Sequence, residues 1–173
     1  MLVFKFKYLC CYLLSLFTMS ENLSVAEALK KLEHYCAYQE RCHQEVNAKL
    51  KQLGVTIPYR DTIIVALLEN NYLNEERFAR SFARGKHRIK FWGKIRIVNE
   101  LKARFISAPN IKCALSELSD EEYYDTFEKL SERVWDSILE KNLLKKRKKC
   151  SDYLLRKGWE SELVYEKINT LLE

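Results

Sequence analysis

Apolar residues along this chain recur at the three- and four-residue spacing of helices, not at the alternation of strands. Ser24-Val-Ala-Glu27 opens the pattern as a capping box, with serine at N-cap and glutamate at N3. Val25, Ala28, Leu29, Leu32, Tyr35 and Cys36 then follow on one face. A second helix is predicted from about Cys42 to Leu53, carrying Val46, Leu50 and Leu53, with Gly54 where a left-handed residue ends a helix. Pro58 is expected in the next loop. Asp61 is expected to cap a third helix with Ile63, Ile64, Leu67 and Leu68, ending near Asn70-Asn71.

The same order of elements then recurs. Asn74 can cap a helix with Glu75 and Glu76 in its first turn and Phe78 and Phe82 inside, loosened at Gly85. The next helix starts near Gly93 and buries Ile97, Val98, Leu101 and Phe105, and a loop through Pro109 leads to a short helix with Ile111, Ala114 and Leu115. A second capping box, Ser119-Asp-Glu-Glu122, opens a long helix with Tyr123, Phe127, Leu130, Val134 and Trp135. An eighth helix runs from about Leu143 to Lys157 and stops at Gly158, and a ninth carries Leu163, Val164, Ile168, Leu171 and Leu172.

These elements repeat in register. Val46, Leu50, Gly54 and Val55 align with Ile97, Leu101, Phe105 and Ile106, and again with Cys150, Leu154, Gly158 and Trp159. The period, about 50 residues, is that of stacked units. Only the middle copy lacks the glycine. The prediction is an all-α fold: a tandem array of three three-helix repeat units, 20–73, 74–118 and 119–173, forming a curved, elongated, solenoid-like domain. A unit of this size buries too little apolar surface alone, so neighbours must stack. Segment 1–19 stands apart as an apolar leader. Its run from Tyr8 to Phe17 is shorter than the roughly 20 residues that cross a bilayer, and the true start is expected at Met19, just before the first capped helix.

Composition changes this picture little. Apolar content of 47% with 31% charged residues describes a chain that folds, and four glycines and two prolines are too few to punctuate an all-β fold. The six cysteines show no C-x-x-C pair, and Cys36, Cys42, Cys113 and Cys150 fall in helical patterns, so they read as small apolar residues of a reducing cytoplasm. Neither they nor His34, His43 and His87 form a metal-ligand motif. Phosphate-loop, dinucleotide, zinc-protease and nucleophile-elbow motifs are also missing, which argues against an enzyme.

Charge is more informative. The net charge is +6, and it is segregated. Arg77, Arg80, Arg84, Lys86, Arg88, Lys90, Lys94 and Arg96 form one basic block, interleaved with Phe78, Phe82, Phe91 and Trp92. Lys145, Lys146, Arg147, Lys148 and Lys149 form another, and between them lies an acidic stretch from Glu117 to Glu132. Separated charge of this kind points to a polyanionic partner, most often nucleic acid. Arg84, Lys86 and His87 are placed at a helix C-terminus, where cations complement the dipole. Arg88, Lys90 and Lys94 are placed in the connection and at the start of the next helix. Free amides and clustered cations there would make an anion site, and 145–149 repeats the arrangement. Phe91 and Trp92 could stack on bases, but read first as core, as do Trp135 and Trp159.

Two longer segments carry a resemblance. Tyr72-Leu73-Asn74-Glu75-Glu76-Arg77-Phe78-Ala79 and Gly93-Lys94-Ile95-Arg96-Ile97-Val98-Asn99-Glu100-Leu101 resemble, in order, two motifs of the RecX regulatory proteins. Ala28-Leu29 with Leu32 and Arg41, then Val46 through Lys49-Leu50 to Gly54, is similar to that family's first unit. Phe105 departs from it, standing where the family usually has glycine, and the third unit matches weakly. The resemblance implies a non-enzymatic protein, without cofactor, that binds the RecA filament on single-stranded DNA and restrains recombination and repair. That would make the first basic block part of a filament-contacting face, and with the charge pattern the thirteen basic residues of the two blocks are the expected filament- or DNA-contacting set. The expected protein is a cytoplasmic monomer with no membrane association. Two other readings stay open at this point: a helical DNA- or RNA-binding protein acting on naked nucleic acid without RecA, and a membrane-associated scaffold held by the leader.

Overall fold

The computed structural model describes residues 23–171, so the leader and the choice between Met1 and Met19 lie outside the described residues. Those residues hold nine α-helices and no strand: α1 (Val25–Tyr38), α2 (His43–Gln52), α3 (Ile57–Glu69), α4 (Glu75–Lys90), α5 (Lys94–Lys102), α6 (Ala108–Leu115), α7 (Asp120–Ser137), α8 (Leu143–Lys157) and α9 (Ser161–Thr170). They fall into two compact units. One comprises the described residues up to Gln39 with Glu45–Tyr72, the other Glu40–Gln44 with those from Leu73 onward.

In the first unit the capping box forms in full. The Ser24 hydroxyl accepts from the Glu27 amide, and the Glu27 carboxylate accepts from the Ser24 amide at 3.0 Å. The unit buries Ala28, Leu32, Cys36, Val46, Leu50, Val55, Ile63 and Leu67. Its third helix starts earlier than expected. Thr56 is the N-cap, Pro58 lies in the first turn and Asp61 is inside the helix. Proline is tolerated there because a first-turn amide has no partner within the helix. Pro109 sits likewise inside the first turn of α6 rather than in a loop.

The second unit has one continuous core, from Phe78, Ala79 and Ala83 of α4 through Ile97, Leu101 and Phe127 to Leu154, Trp159, Val164 and Ile168. Trp159 is its centre, 4.6 Å from the Tyr123 ring and 5.0 Å from Phe127. His87 packs there too. It lies in the last turn of α4, fully buried, stacked on Tyr123 at 5.3 Å, with Nδ1 3.0 Å from the Trp92 carbonyl oxygen, so its ring adds to the core. Gly85 does not end its helix; α4 continues through it to Lys90 and stops at Phe91, which is left-handed at φ 55°.

The aligned positions adopt the same local geometry in all three copies. Gly54, Phe105 and Gly158 take φ of 74°, 60° and 86°. The following amides of Val55, Ile106 and Trp159 donate back to the carbonyls of Leu50, Leu101 and Leu154 at 3.1, 3.1 and 3.3 Å. Each is the six-to-one bond of a Schellman motif, with its apolar pair buried behind it. Phe105 enters the left-handed region without glycine's freedom, and its ring is 82% exposed. The core position expected for it belongs to Ile106 instead, since the helix has ended by then.

Candidate nucleic-acid interface

Asn74 caps α4 by accepting from the Arg77 amide, and the helix then aligns Arg77, Arg80, Arg84 and Arg88 at three- and four-residue steps. Each guanidinium meets a carboxylate. Arg77 Nε lies 2.6 Å from Glu40, Arg80 bridges Glu76 and Glu117, and Arg84 takes the other oxygen of Glu117 at 2.8 Å. Arg88 holds Glu122 with two bonds, of 2.6 and 3.1 Å. The acidic stretch therefore pairs with Arg80, Arg84 and Arg88 of this helix. Hydrogen bonds from Arg80 hold the Glu117 carboxyl below the usual range, and the bond from Arg88 does the same for Glu122. Glu122 is thereby drawn away from its expected capping box, of which only the Ser119 half forms.

The anion site expected at the start of α5 is filled by the protein itself. Arg88 and Lys90 belong to the last turn of α4, where the dipole favours them, and not to the connection. The first three amides of the α5 terminus are engaged: Gly93 donates to the Lys157 carbonyl at 2.9 Å, Lys94 to the Tyr123 hydroxyl at 2.9 Å, and Ile95 to the Gly158 carbonyl at 3.2 Å. The Tyr123 hydroxyl in turn donates to Glu160 at 2.8 Å, and burial pushes its phenol pKa up. Lys94 Nζ lies 3.2 Å from Asp120 and 4.3 Å from the Tyr123 ring centre. Removing one helix's unpaired amides with another helix's unpaired carbonyls leaves no room for an external anion.

The aromatics of the block hold cations. Trp92 is half-buried, with the Arg96 guanidinium 4.2 Å and Lys86 Nζ 5.2 Å from its ring centre, and Lys86 is equally close to Phe82. Phe91 lies under Arg133 at 4.8 Å. In the second basic run Asn142 caps α8 through the Lys145 amide. There Lys149 pairs with Glu140 at 2.9 Å, Arg147 donates to Asn169 and Lys146 lies over half-buried Trp135 at 4.6 Å. Lys90, Lys145 and Lys148 face solvent. Of the thirteen expected contact residues, the structure thus ties six to carboxylates and leaves these three open. Sequence reasoning passed over Arg133 in α7 and the adjacent pair Arg156 and Lys157 in the last turn of α8, cations in mixed segments. Cys36, Cys42 and Cys150 are buried, and burial pushes the Cys150 thiol up. Among the described residues no helix is long and apolar enough to cross a membrane.

Tandem three-helix units with a shared core and a charged, solvent-facing surface define a helical-repeat protein. Two models of one family match in succession: RecX, second three-helix domain, over residues 74–115, and RecX, third three-helix domain, over 120–168. Together they span more than half of the chain, which belongs to the RecX family. Among curated proteins it is 27% identical over 143 residues to regulatory protein RecX of Bacillus cytotoxicus, covering 83% of this chain and 53% of that protein. It is 31% identical over 100 residues to regulatory protein RecX of Lactobacillus gasseri, covering 58% and 37%. The chain spans about half the length of the curated relatives it matches. In fold it is similar to the crystal structure of RecX from Lactobacillus salivarius, with TM-score 0.70 and 23% identity over 86% of this chain and 96% of that one. A second crystal structure, of a regulatory protein RecX, gives TM-score 0.74 at 23% identity over 84% and 73%.

Proposed function

We infer that this protein binds the RecA filament on single-stranded DNA and restrains its ATP hydrolysis and strand exchange in DNA repair. It acts in the cytoplasm as a monomer, by occupying a surface and not by chemistry. The observation that supports this reading is the pair of consecutive RecX domains sharing one core, with cations left over once the internal acids are used. Lys90, Lys145 and Lys148 remain in water, where folding gains nothing from them. They are the first candidates for contact, followed by Lys86, Arg96, Lys146 and Arg147, whose charges rest on rings or an amide. The carboxylate-bound arginines of α4 would have to exchange an internal partner for an external one.

The test is stoichiometric addition to cognate RecA on single-stranded DNA, following ATP hydrolysis and strand exchange. Inhibition supports the reading; unchanged rates overturn it. A protein acting on naked nucleic acid would bind bare DNA as tightly as the filament, with affinity falling steeply with salt.

A further inference from the structure

The outer face of α8 carries a furrow that takes one side chain from each basic block, Arg96 and Lys149, and adds Arg133 and Arg156. Three adjoining hollows line it. One lies against α5, at Arg96 and Asn99; one against α7, at Arg133 and Ser137; and one on α8 itself, at Lys149 and Asp152. All three share Arg156, so they form one trough across the helix, with α5 and α7 as banks.

Its guanidiniums are held differently from those of α4. Arg96 lies over Trp92 and donates to the Arg156 carbonyl at 2.9 Å. Arg133 lies over Phe91 at 4.8 Å, and Arg156 Nε donates to the Asp152 carbonyl at 3.1 Å. Rings and carbonyls orient these groups and leave the charge in place. Acids are near but engaged elsewhere or few: Glu100 is bound by Arg104 at 2.7 Å, Glu140 by Lys149 at 2.9 Å, and Asp152 remains. Asp152 and Glu100 also line these hollows, yet among the described residues no ion pair ties up the guanidiniums of Arg96, Arg133 and Arg156. Each presents N–H edges in the planar fork that matches phosphate oxygens. Tyr153, half-buried, has Lys157 Nζ 5.5 Å from its ring centre and lines the same hollow as Arg133 and Arg156.

We propose that this furrow takes the sugar–phosphate backbone of a single nucleic-acid strand, with Arg96, Arg133 and Arg156 on successive phosphates and Tyr153 against a base. A row of cations with an aromatic between them is the arrangement that holds unpaired strands. A duplex keeps its bases stacked on each other and has none to give the ring. The inference rests on the reading that the chain works on a nucleoprotein filament, and it assigns the strand-contacting part of that surface.

The experiment is fluorescence anisotropy of a labelled deoxythymidine oligonucleotide with the full chain across a salt series. Arg133→Ala with Arg156→Ala should weaken binding about tenfold or more and lower the slope of log K against log salt by about 1.4, for two phosphates on a single strand. Arg133→Lys with Arg156→Lys should restore the slope but only part of the affinity. Lys112→Ala with Lys129→Ala, which removes two charges elsewhere in the same unit, should leave binding near that of the unaltered protein. Unchanged binding by the arginine-to-alanine pair overturns the proposal. So does an equal loss in the Lys112 and Lys129 pair, or a preference of the unaltered protein for polyglutamate or for duplex of the same length. Should the arginine variant melt early, photocrosslinking of the unaltered protein to a 4-thiothymidine oligonucleotide decides: adducts on α5, α7 or α8 uphold the furrow, and adducts confined to other elements refute it. Strand binding without any effect on RecA would remove the regulatory reading alone; RecA inhibition equally strong in the arginine variant would remove the furrow alone.

Discussion

Gly93 and Gly158 meet backbone to backbone. A Cβ built on Gly93 would lie 2.2 Å from the Gly158 carbonyl oxygen, and one on Gly158 would lie 2.3 Å from the Arg96 Cβ. The contact lets the first amides of α5 reach the last carbonyls of α8. Two helix termini thereby satisfy each other inside the protein, with their dipoles aligned head to tail.

Three glycines should therefore respond differently to the same substitution. Gly93→Ala and Gly158→Ala force backbone apart and should destabilise by about 3 kcal/mol, the upper part of the overpacking range; at Gly158 the φ of 86° adds strain. Gly85→Ala meets nothing within 4 Å, inside a helix, and should stabilise by about 0.5–1 kcal/mol. Denaturant titration of the three variants checks the order.

Phe105→Gly should stabilise. The left-handed conformation costs a non-glycine residue roughly 1–2 kcal/mol, and glycine's greater freedom when unfolded returns part of that, for a net gain of about 1 kcal/mol. The exposed ring gives up little burial. A rise in melting temperature measures it; no rise would mean the ring has a stabilising partner.

Leu101→Ala should cost about 2–5 kcal/mol through a buried cavity, because the Leu101 side chain is fully buried. Thermal melting reports it, and strand or filament binding of the residual folded protein should be unaltered.

Acid should weaken the second unit through Glu117 and Glu122. Both carboxyl pKa values are depressed on folding, so their contribution is full above the ordinary carboxylate pKa and is lost as pH falls through the lowered values. Glu117→Gln with Glu122→Gln should be slightly less stable at neutral pH and show a shallower loss of stability on acidification. An acid limb unchanged from that of the unaltered protein would show that these pairs carry no linkage.

Much of the fold was legible in the sequence because local rules decide it. Ser24 and Asn74 cap as their side chains dictate, and the apolar spacing of Ile97 and Leu101 marks the buried face. The repeat placed Phe105 at a helix end even though its residue type argues otherwise. Errors fell where local signals have two outcomes. Pro58 fits a loop or a first turn, and Gly85 weakens a helix without ending one when both sides are packed. The interface was harder to read. Arg80 and Glu117 are 37 positions apart and Arg88 and Glu122 are 34 apart, so opposed charge blocks look like free surface until the chain brings them together. The amides of Gly93 and Ile95 look available for the same reason: their acceptors lie in α8.

The join at Gly93 and Gly158 also limits how this protein can be divided. A fragment ending near residue 118 would keep every residue of α5 yet strand its leading amides and uncover the flank of His87 that Trp159 shields. The minimal autonomous piece of this half is thus the pair of three-helix sets together, and shortening the gene between them should yield insoluble product instead of a smaller working module.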